Sequence, residues 1–126
     1  MLNRTFAAAV AFAFAAFPLA AQQSGGASPS NETEITGQVI DINCHTTMGA
    51  SGPGHKQCAL ACAKAGVALA ILGSDGNVYM PVSSKPGDPQ NSRLMEFAES
   101  KVKVTGVHRF TNGLHTIEIK TIAAAT

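Results

Sequence analysis

Apolar and polar residues alternate almost strictly through the last part of the chain. The alternation runs through residues 101–110 (KVKVTGVHRF) and resumes in residues 115–122 (HTIEIKTI). A period of two places the apolar side chains on one face of an extended strand. Because residues 111–113 (TNG) are typical of a tight turn, we predict that the two runs form an antiparallel hairpin.

Three further runs predict strands earlier in the chain. The first extends from Glu34 to about Cys44, with apolar residues on both faces at its end. Residues 67–72 and 78–83 are apolar runs on either side of an Asp-Gly turn, a pattern typical of a second hairpin.

Two segments between these strands predict short helices. Residues 56–65 (KQCALACAKA) are good helix formers that stop before Gly66, a residue suited to the left-handed position after a helix. Residues 91–98 place apolar side chains at helical spacing. Residues 45–55 (HTTMGASGPGH), rich in glycine, are predicted to form a loop.

The order of these elements predicts the fold class. We expect a mainly β domain, a small five-stranded OB-like Greek-key barrel. A short inserted helix follows strand one, and a second helix lies between strands three and four. The expected core includes these apolar positions: Val39, Leu69, Ile71, Val104, Ile117 and Ile119.

The N-terminus has the features of a signal peptide. Residues 1–21 contain an early basic residue, Arg4, a short apolar stretch and an exit of small residues. The apolar stretch is shorter than the roughly 20 residues that a spanning helix needs, so we expect cleavage and no stable membrane span afterwards. Residues 22–33 are small and polar and predict a disordered tether, which leaves residues 34–126 as a single periplasmic or secreted domain.

Charge and aromatic content argue against a nucleic-acid surface. The chain has nine basic and eight acidic residues, and removal of residues 1–21 takes Arg4 away, so the mature protein is formally neutral. Its three aromatic residues, Tyr79, Phe97 and Phe110, are dispersed along the sequence, whereas single-stranded nucleic acid needs a positive groove and stacking rings. His108 and His115 are predicted to be solvated residues of the last hairpin.

Three cysteines and two histidines are the candidate metal ligands. Cys58 and Cys62 are four apart on a predicted helix and therefore neighbours on one face. Cys44 and His45 end the first strand, and His55 lies three residues before Cys58. Cysteine and histidine donors in this mixture suit Zn²⁺ or Cu⁺. We predict one ion held by the three cysteines, with His55 preferred as fourth donor because His45 points away from Cys44 on an extended chain.

A structural disulfide is the alternative use of these cysteines. In an oxidising compartment, Cys44 paired with Cys58 or Cys62 would fasten the inserted helix to the barrel and stabilise the fold by about 3 kcal/mol. The protein would then be a ligand-binding or protein-interaction module, with an unidentified envelope protein as partner. No catalytic residues are apparent, so we expect no enzyme. Thiol redox chemistry of Cys58 and Cys62 is disfavoured, because four-residue helical spacing holds their Cβ atoms about 5–6 Å apart.

Several of these segments together resemble a known protein family. They are the run 36–41 (TGQVID), Cys44, the run 55–63 (HKQCALACA) with Gly66 after it, and the run 103–106 (KVTG). In these features the chain is similar to a family of small exported bacterial OB-fold proteins, over roughly residues 34–122. The resemblance implies a fold and an exported location, and it implies no particular activity.

Overall fold

The computed structural model describes residues 32–126. The predicted signal peptide and residues 22–31 of the predicted tether lie outside this range. The described chain is mainly β, with five strands and three α-helices. The strands are β1 (Glu32–Asp41), β2 (Leu69–Gly73), β3 (Val78–Pro81), β4 (Lys101–Thr111) and β5 (Leu114–Ala124), and the helices are α1 (Ile42–Met48), α2 (Lys56–Lys64) and α3 (Asn91–Leu94).

The strand pairings close on themselves in the order β1-β2-β3-β5-β4. The predicted hairpins β2–β3 and β4–β5 are both present and antiparallel. β1 pairs with β4 through its first part and with β2 through its last part, so this one strand joins the two hairpins. β3 and β5 run parallel and complete the ring of pairings.

The core lies inside this closed sheet. All six apolar positions predicted for the core are at most 4% exposed. Leu94 of α3 packs against them, and the 3₁₀ turn Met95–Phe97 leads from α3 toward β4. No helix within residues 32–126 is long and apolar enough to cross a membrane.

The segment between β1 and β2 differs from the sequence prediction. β1 ends at Asp41, and Cys44 and His45 lie on α1, where a strand end and a loop were expected. The carboxylate of Asp41 accepts hydrogen bonds from the backbone N–H groups of Asn43 (2.9 Å) and Cys44 (3.0 Å), so it caps the new helix. Gly49 ends that helix in the left-handed region at φ 66°. These two caps explain why a segment of modest helix propensity is helical.

The second half of the insertion is anchored by one face of α2 and by the C-terminal end of that helix. α2 buries Ala59 and Ala63, which are one turn apart, and leaves Cys58 exposed and Cys62 half-buried. The side chain of Asn91 holds the end of α2 by donating hydrogen bonds to the carbonyl oxygens of Ala63 (3.3 Å) and Val67 (2.7 Å). The rotation of α2, and with it the positions of both cysteines, is therefore fixed by packing.

Gly106 allows β4 and β5 to approach closely at an irregularity in their pairing. The register shifts between Thr105 and Gly106, and a Cβ atom at Gly106 would overlap the carbonyl oxygen of Glu118. The clash is with backbone, so it is relieved only by a movement of one strand.

We predict that Gly106→Ala lowers the free energy of unfolding by about 2 kcal/mol because it overpacks the hairpin. Thermal unfolding of the full chain should show a melting temperature lower by roughly 10 °C. Gly54→Ala is the matched control, since a Cβ atom at Gly54 meets nothing within 4 Å. An unchanged melting temperature for Gly106→Ala would contradict the strand pairing.

Candidate metal centre

The candidate site lies at the end of β1, where α1, the 3₁₀ turn Pro53–His55 and α2 meet the turn before β4. Two groups of possible ligand atoms lie here, each with its atoms within 4.8 Å of one another. The outer group contains Cys44, His55 and Cys58. The inner group contains Asp41, Cys44 and Cys62. Cys44 is shared, and it is 6% exposed.

These separations suit a compact ion with little adjustment. Zinc binds sulfur and nitrogen at about 2.0–2.3 Å, which separates tetrahedral ligand atoms by roughly 3.3–3.8 Å. Side-chain rotations that move each ligand atom by about 1 Å would bring either group to that spacing. Cys44, His55, Cys58 and Cys62 are therefore close enough together to bind a metal ion such as Zn²⁺.

His55 is held by a buried carboxylate. Its Nδ1 lies 3.0 Å from Oε1 of Glu99, whose side chain is fully buried. Because a carboxylate only accepts hydrogen bonds, Nδ1 is the donor in this contact, and in a neutral imidazole the lone pair then lies on Nε2. Nε2 is itself buried and has no hydrogen-bond partner. A carboxylate on one ring nitrogen and a free lone pair on the other is the arrangement that metal-binding histidines show.

Glu99 is bound on all sides by hydrogen-bond donors. Besides His55, it accepts hydrogen bonds from the backbone N–H of Gly52 (2.7 Å), from Gln38 Nε2 (3.1 Å) and from the backbone N–H of Asp41 (3.4 Å). Its backbone adopts the left-handed region at φ 59°, which a residue other than glycine seldom occupies. Such a conformation is kept only where the surroundings fix it.

The carboxylate of Asp41 keeps its charge although it is fully buried. Burial favours the neutral acid, but the backbone N–H of Cys44 and the polar thiols of Cys62 and Cys44 outweigh that effect and hold the pKa of Asp41 below its usual range. Oδ1 accepts the two helix-capping hydrogen bonds. Oδ2 is buried and has no partner of hydrogen-bonding geometry.

The same carboxylate keeps the nearby thiols protonated. Contact with Asp41 and, to a smaller extent, burial raise the pKa of Cys62 to about 12. Burial and, to a smaller extent, contact with Asp41 raise the pKa of Cys44. Without a cation these thiols are therefore poor nucleophiles. A bound metal ion would reverse this, because it replaces the thiol protons.

The site combines buried acids with a lack of positive side chains. Among the described residues, neither Asp41 nor Glu99 forms an ion pair with a lysine or arginine, and Glu99 instead accepts a hydrogen bond from the imidazole of His55. Buried charges need compensation by a partner. A cation at the cysteines would provide it.

The structure brings together most of the predicted ligands. His55, Cys44 and Cys58 share one group, and Cys62 joins through Cys44. His45 belongs to neither group, because it follows Cys44 directly on α1 and adjacent helical residues face different directions. All three cysteines are free thiols, so no disulfide joins Cys44 to Cys58 or Cys62.

Two residues of the site were missed by the sequence analysis. The sequence analysis assigned no role to Asp41 or Glu99, and both are buried against the candidate ligands. Asp41 had a detectable signal, because an aspartate three residues before Cys44 matches a helix N-cap. Glu99 had none, because its role depends on a left-handed backbone at a turn between α3 and β4.

The histidines of the last hairpin are also placed differently from the prediction. His108 and His115 are half-buried, and His108 Nε2 lies 3.0 Å from His115 Nδ1, so the rings share a hydrogen bond. Tyr79 and Phe110 both contact His115, at ring-centroid distances of 5.3 and 4.5 Å. The prediction of solvated histidines was therefore wrong, because both rings are half-buried and stacked on each other at a centroid distance of 5.2 Å.

Comparison of the chain with protein-family models, curated proteins and solved structures finds no match.

The hydrogen bond that the hydroxyl of Tyr79 makes with Asp75 can be tested through the stability of the fold in acid. It donates to Asp75 at 2.6 Å, and this bond, followed by those from Asn77, lowers the pKa of Asp75 from 3.8 to about 2. The ionised carboxylate therefore stabilises the fold above about pH 3.8, and this contribution is lost as the pH falls toward 2.

We predict that Tyr79→Phe reduces the loss of stability between pH 4 and pH 2, because it removes the largest cause of the lowered pKa of Asp75. Denaturant unfolding at a series of pH values measures this. Ser83→Ala, which removes a hydroxyl that donates to the exposed Asp88 at 2.8 Å, is the control. Identical acid profiles for Tyr79→Phe and the unaltered protein would contradict the prediction.

Proposed function

We propose that this protein is a small exported module that binds a soft or borderline metal ion, Zn²⁺ or Cu⁺, at the Cys/His cluster. Cys44, Cys58 and His55 are the first ligands, and Cys62 is the candidate fourth. The observation that carries the proposal is the free, buried Nε2 of His55 beside two thiols, on a ring fixed by Glu99.

This observation favours the metal over the disulfide alternative. A disulfide would use two sulfurs and leave the histidine without a role, although burial of an unpartnered ring nitrogen costs about 1–3 kcal/mol. A metal ion uses both the thiols and that nitrogen. The absence of a lysine or arginine ion pair at the buried carboxylate of Asp41, within residues 32–126, also supports a cation.

Binding would proceed by exchange of protons for the ion. Each thiol that becomes a ligand loses its proton, whereas His55 binds through a lone pair that it already has. Because the pKa of Cys44 and that of Cys62 are raised, affinity should fall as the pH falls. Cys58 is exposed and gives the ion a route to solvent.

The proposal extends to the fold, an OB-like barrel, and to the location of the protein outside the cytoplasm. A closed ring of five strands with a helix between β3 and β4 supports an OB-like barrel. The resemblance to small exported OB-fold proteins and the composition of residues 1–21 support export to the periplasm or beyond. We propose a binding role and no enzymatic activity, with the metal ion, or an envelope protein that exchanges it, as partner.

We predict that the reduced full chain binds at least one equivalent of Zn²⁺ or Cu⁺. Cys44→Ser should abolish binding, because Cys44 belongs to both ligand groups. His55→Ala should weaken it by about 100-fold or more, because the loss of a ligand costs more than the loss of a residue that only orients one, which is about 10–100-fold. Competition with a coloured chelator gives the affinities, and His115→Ala, a histidine outside the cluster, should bind like the unaltered protein.

Thiol counting on protein purified without reductant decides between this function and the disulfide alternative. Three reactive thiols after metal removal are expected from a metal site. One free thiol and no metal would support the disulfide and defeat the metal proposal.

We further predict that Glu99→Gln lowers metal affinity about 10–100-fold, because an amide in place of the carboxylate no longer fixes the proton of His55 on Nδ1. Glu96→Gln is the matched control, since Glu96 is exposed and lies outside both ligand groups. Equal affinities for the two variants would show that Glu99 has no part in the site.

A further inference from the structure

The sulfur of Cys44 is common to the outer and the inner group of ligand atoms. We propose that the cluster holds two divalent ions, one in each group, joined by the thiolate of Cys44. This inference rests on the proposed metal-binding function and adds Asp41 as a ligand. The outer ion binds Cys44, Cys58 and His55, and the inner ion binds Asp41, Cys44 and Cys62.

The inner group has its own unsatisfied ligand atom. The Asp41 side chain is fully buried, and Oδ1 is occupied by the two capping N–H groups of α1. Oδ2 has no partner of hydrogen-bonding geometry, and the carboxylate lies beside the thiols of Cys44 and Cys62, so this oxygen is the one available to an ion. The outer group has the equivalent atom in Nε2 of His55. Each group therefore combines two sulfurs with one buried, unpartnered nitrogen or oxygen.

The charge of the ligands agrees with two divalent ions. When both groups are occupied, three thiolates and the carboxylate of Asp41 carry four negative charges. A single divalent ion on Cys44, Cys58 and His55 would neutralise two thiolates and leave the buried charge of Asp41 uncompensated. Two divalent ions neutralise the set. Glu99 does not enter this balance, because four donors already bind its carboxylate. Uncompensated buried charge is costly.

The ligand types favour zinc over Cu⁺ for this pair of ions. A carboxylate is a hard donor that Zn²⁺ accepts and Cu⁺ does not favour. Two Cu⁺ ions would also leave two negative charges. Each zinc ion has three protein ligands, so water or an external ligand completes its coordination.

Zinc stoichiometry of the reduced full chain tests the inference. Native mass spectrometry and elemental analysis should give two zinc ions per chain. Asp41→Asn should give one, because the amide keeps the capping oxygen of α1 and loses the charge and basicity of the ligand. Asp88→Asn, at an exposed aspartate outside the cluster, should still bind two.

Cys62→Ser provides a second variant in case Asp41→Asn does not fold. It should bind one zinc ion with the outer ligands intact, and cadmium NMR should show two resonances for the unaltered protein and one for this variant. One zinc ion in the unaltered protein, unaffected by Asp41→Asn, would overturn the two-ion inference and leave the proposed function standing. No bound zinc at all would overturn the two-ion inference, and a failure to bind Cu⁺ as well would overturn the proposed function.

Discussion

The contact between Glu99 and His55 organises one end of this domain. A fully buried carboxylate there accepts hydrogen bonds from β1, from the loop before the 3₁₀ turn and from the imidazole of His55. These partners lie 44 to 61 residues away from Glu99 in the sequence. The contact therefore connects the strand pairing of the sheet to the inserted segment that carries the cysteines.

The inserted segment depends on a second buried acid, Asp41, for its local structure. Asp41 ends β1 and starts α1, which turns Cys44 inward, while packing of Ala59 and Ala63 turns α2 so that Cys58 and Cys62 flank the same region. Each of the two acids therefore accepts hydrogen bonds from backbone N–H groups and also contacts candidate metal ligands. A site supported in this way fixes its ligand directions before an ion binds, which reduces the cost of binding.

The sequence was sufficient for the strands and the core, and only partly for the site. Strict alternation located β4 and β5, and turn residues between apolar runs located β2 and β3, because these signals are local. The role of Glu99 was not predictable, because it depends on a left-handed backbone and on partners distant in sequence. The pairing of His108 with His115 was missed for a related reason. Those residues meet diagonally across β4 and β5, and only the register of the hairpin reveals this.

The central claim is that Glu99 fixes His55 with Nε2 free to bind a metal ion. Nitrogen NMR of the imidazole of His55 tests it most directly, on the reduced full chain at neutral pH before and after addition of Zn²⁺. We expect a proton on Nδ1 and none on Nε2 in the metal-free protein, and a change of the Nε2 resonance when zinc binds. A proton on Nε2, or an Nε2 resonance that zinc leaves unchanged, would contradict it.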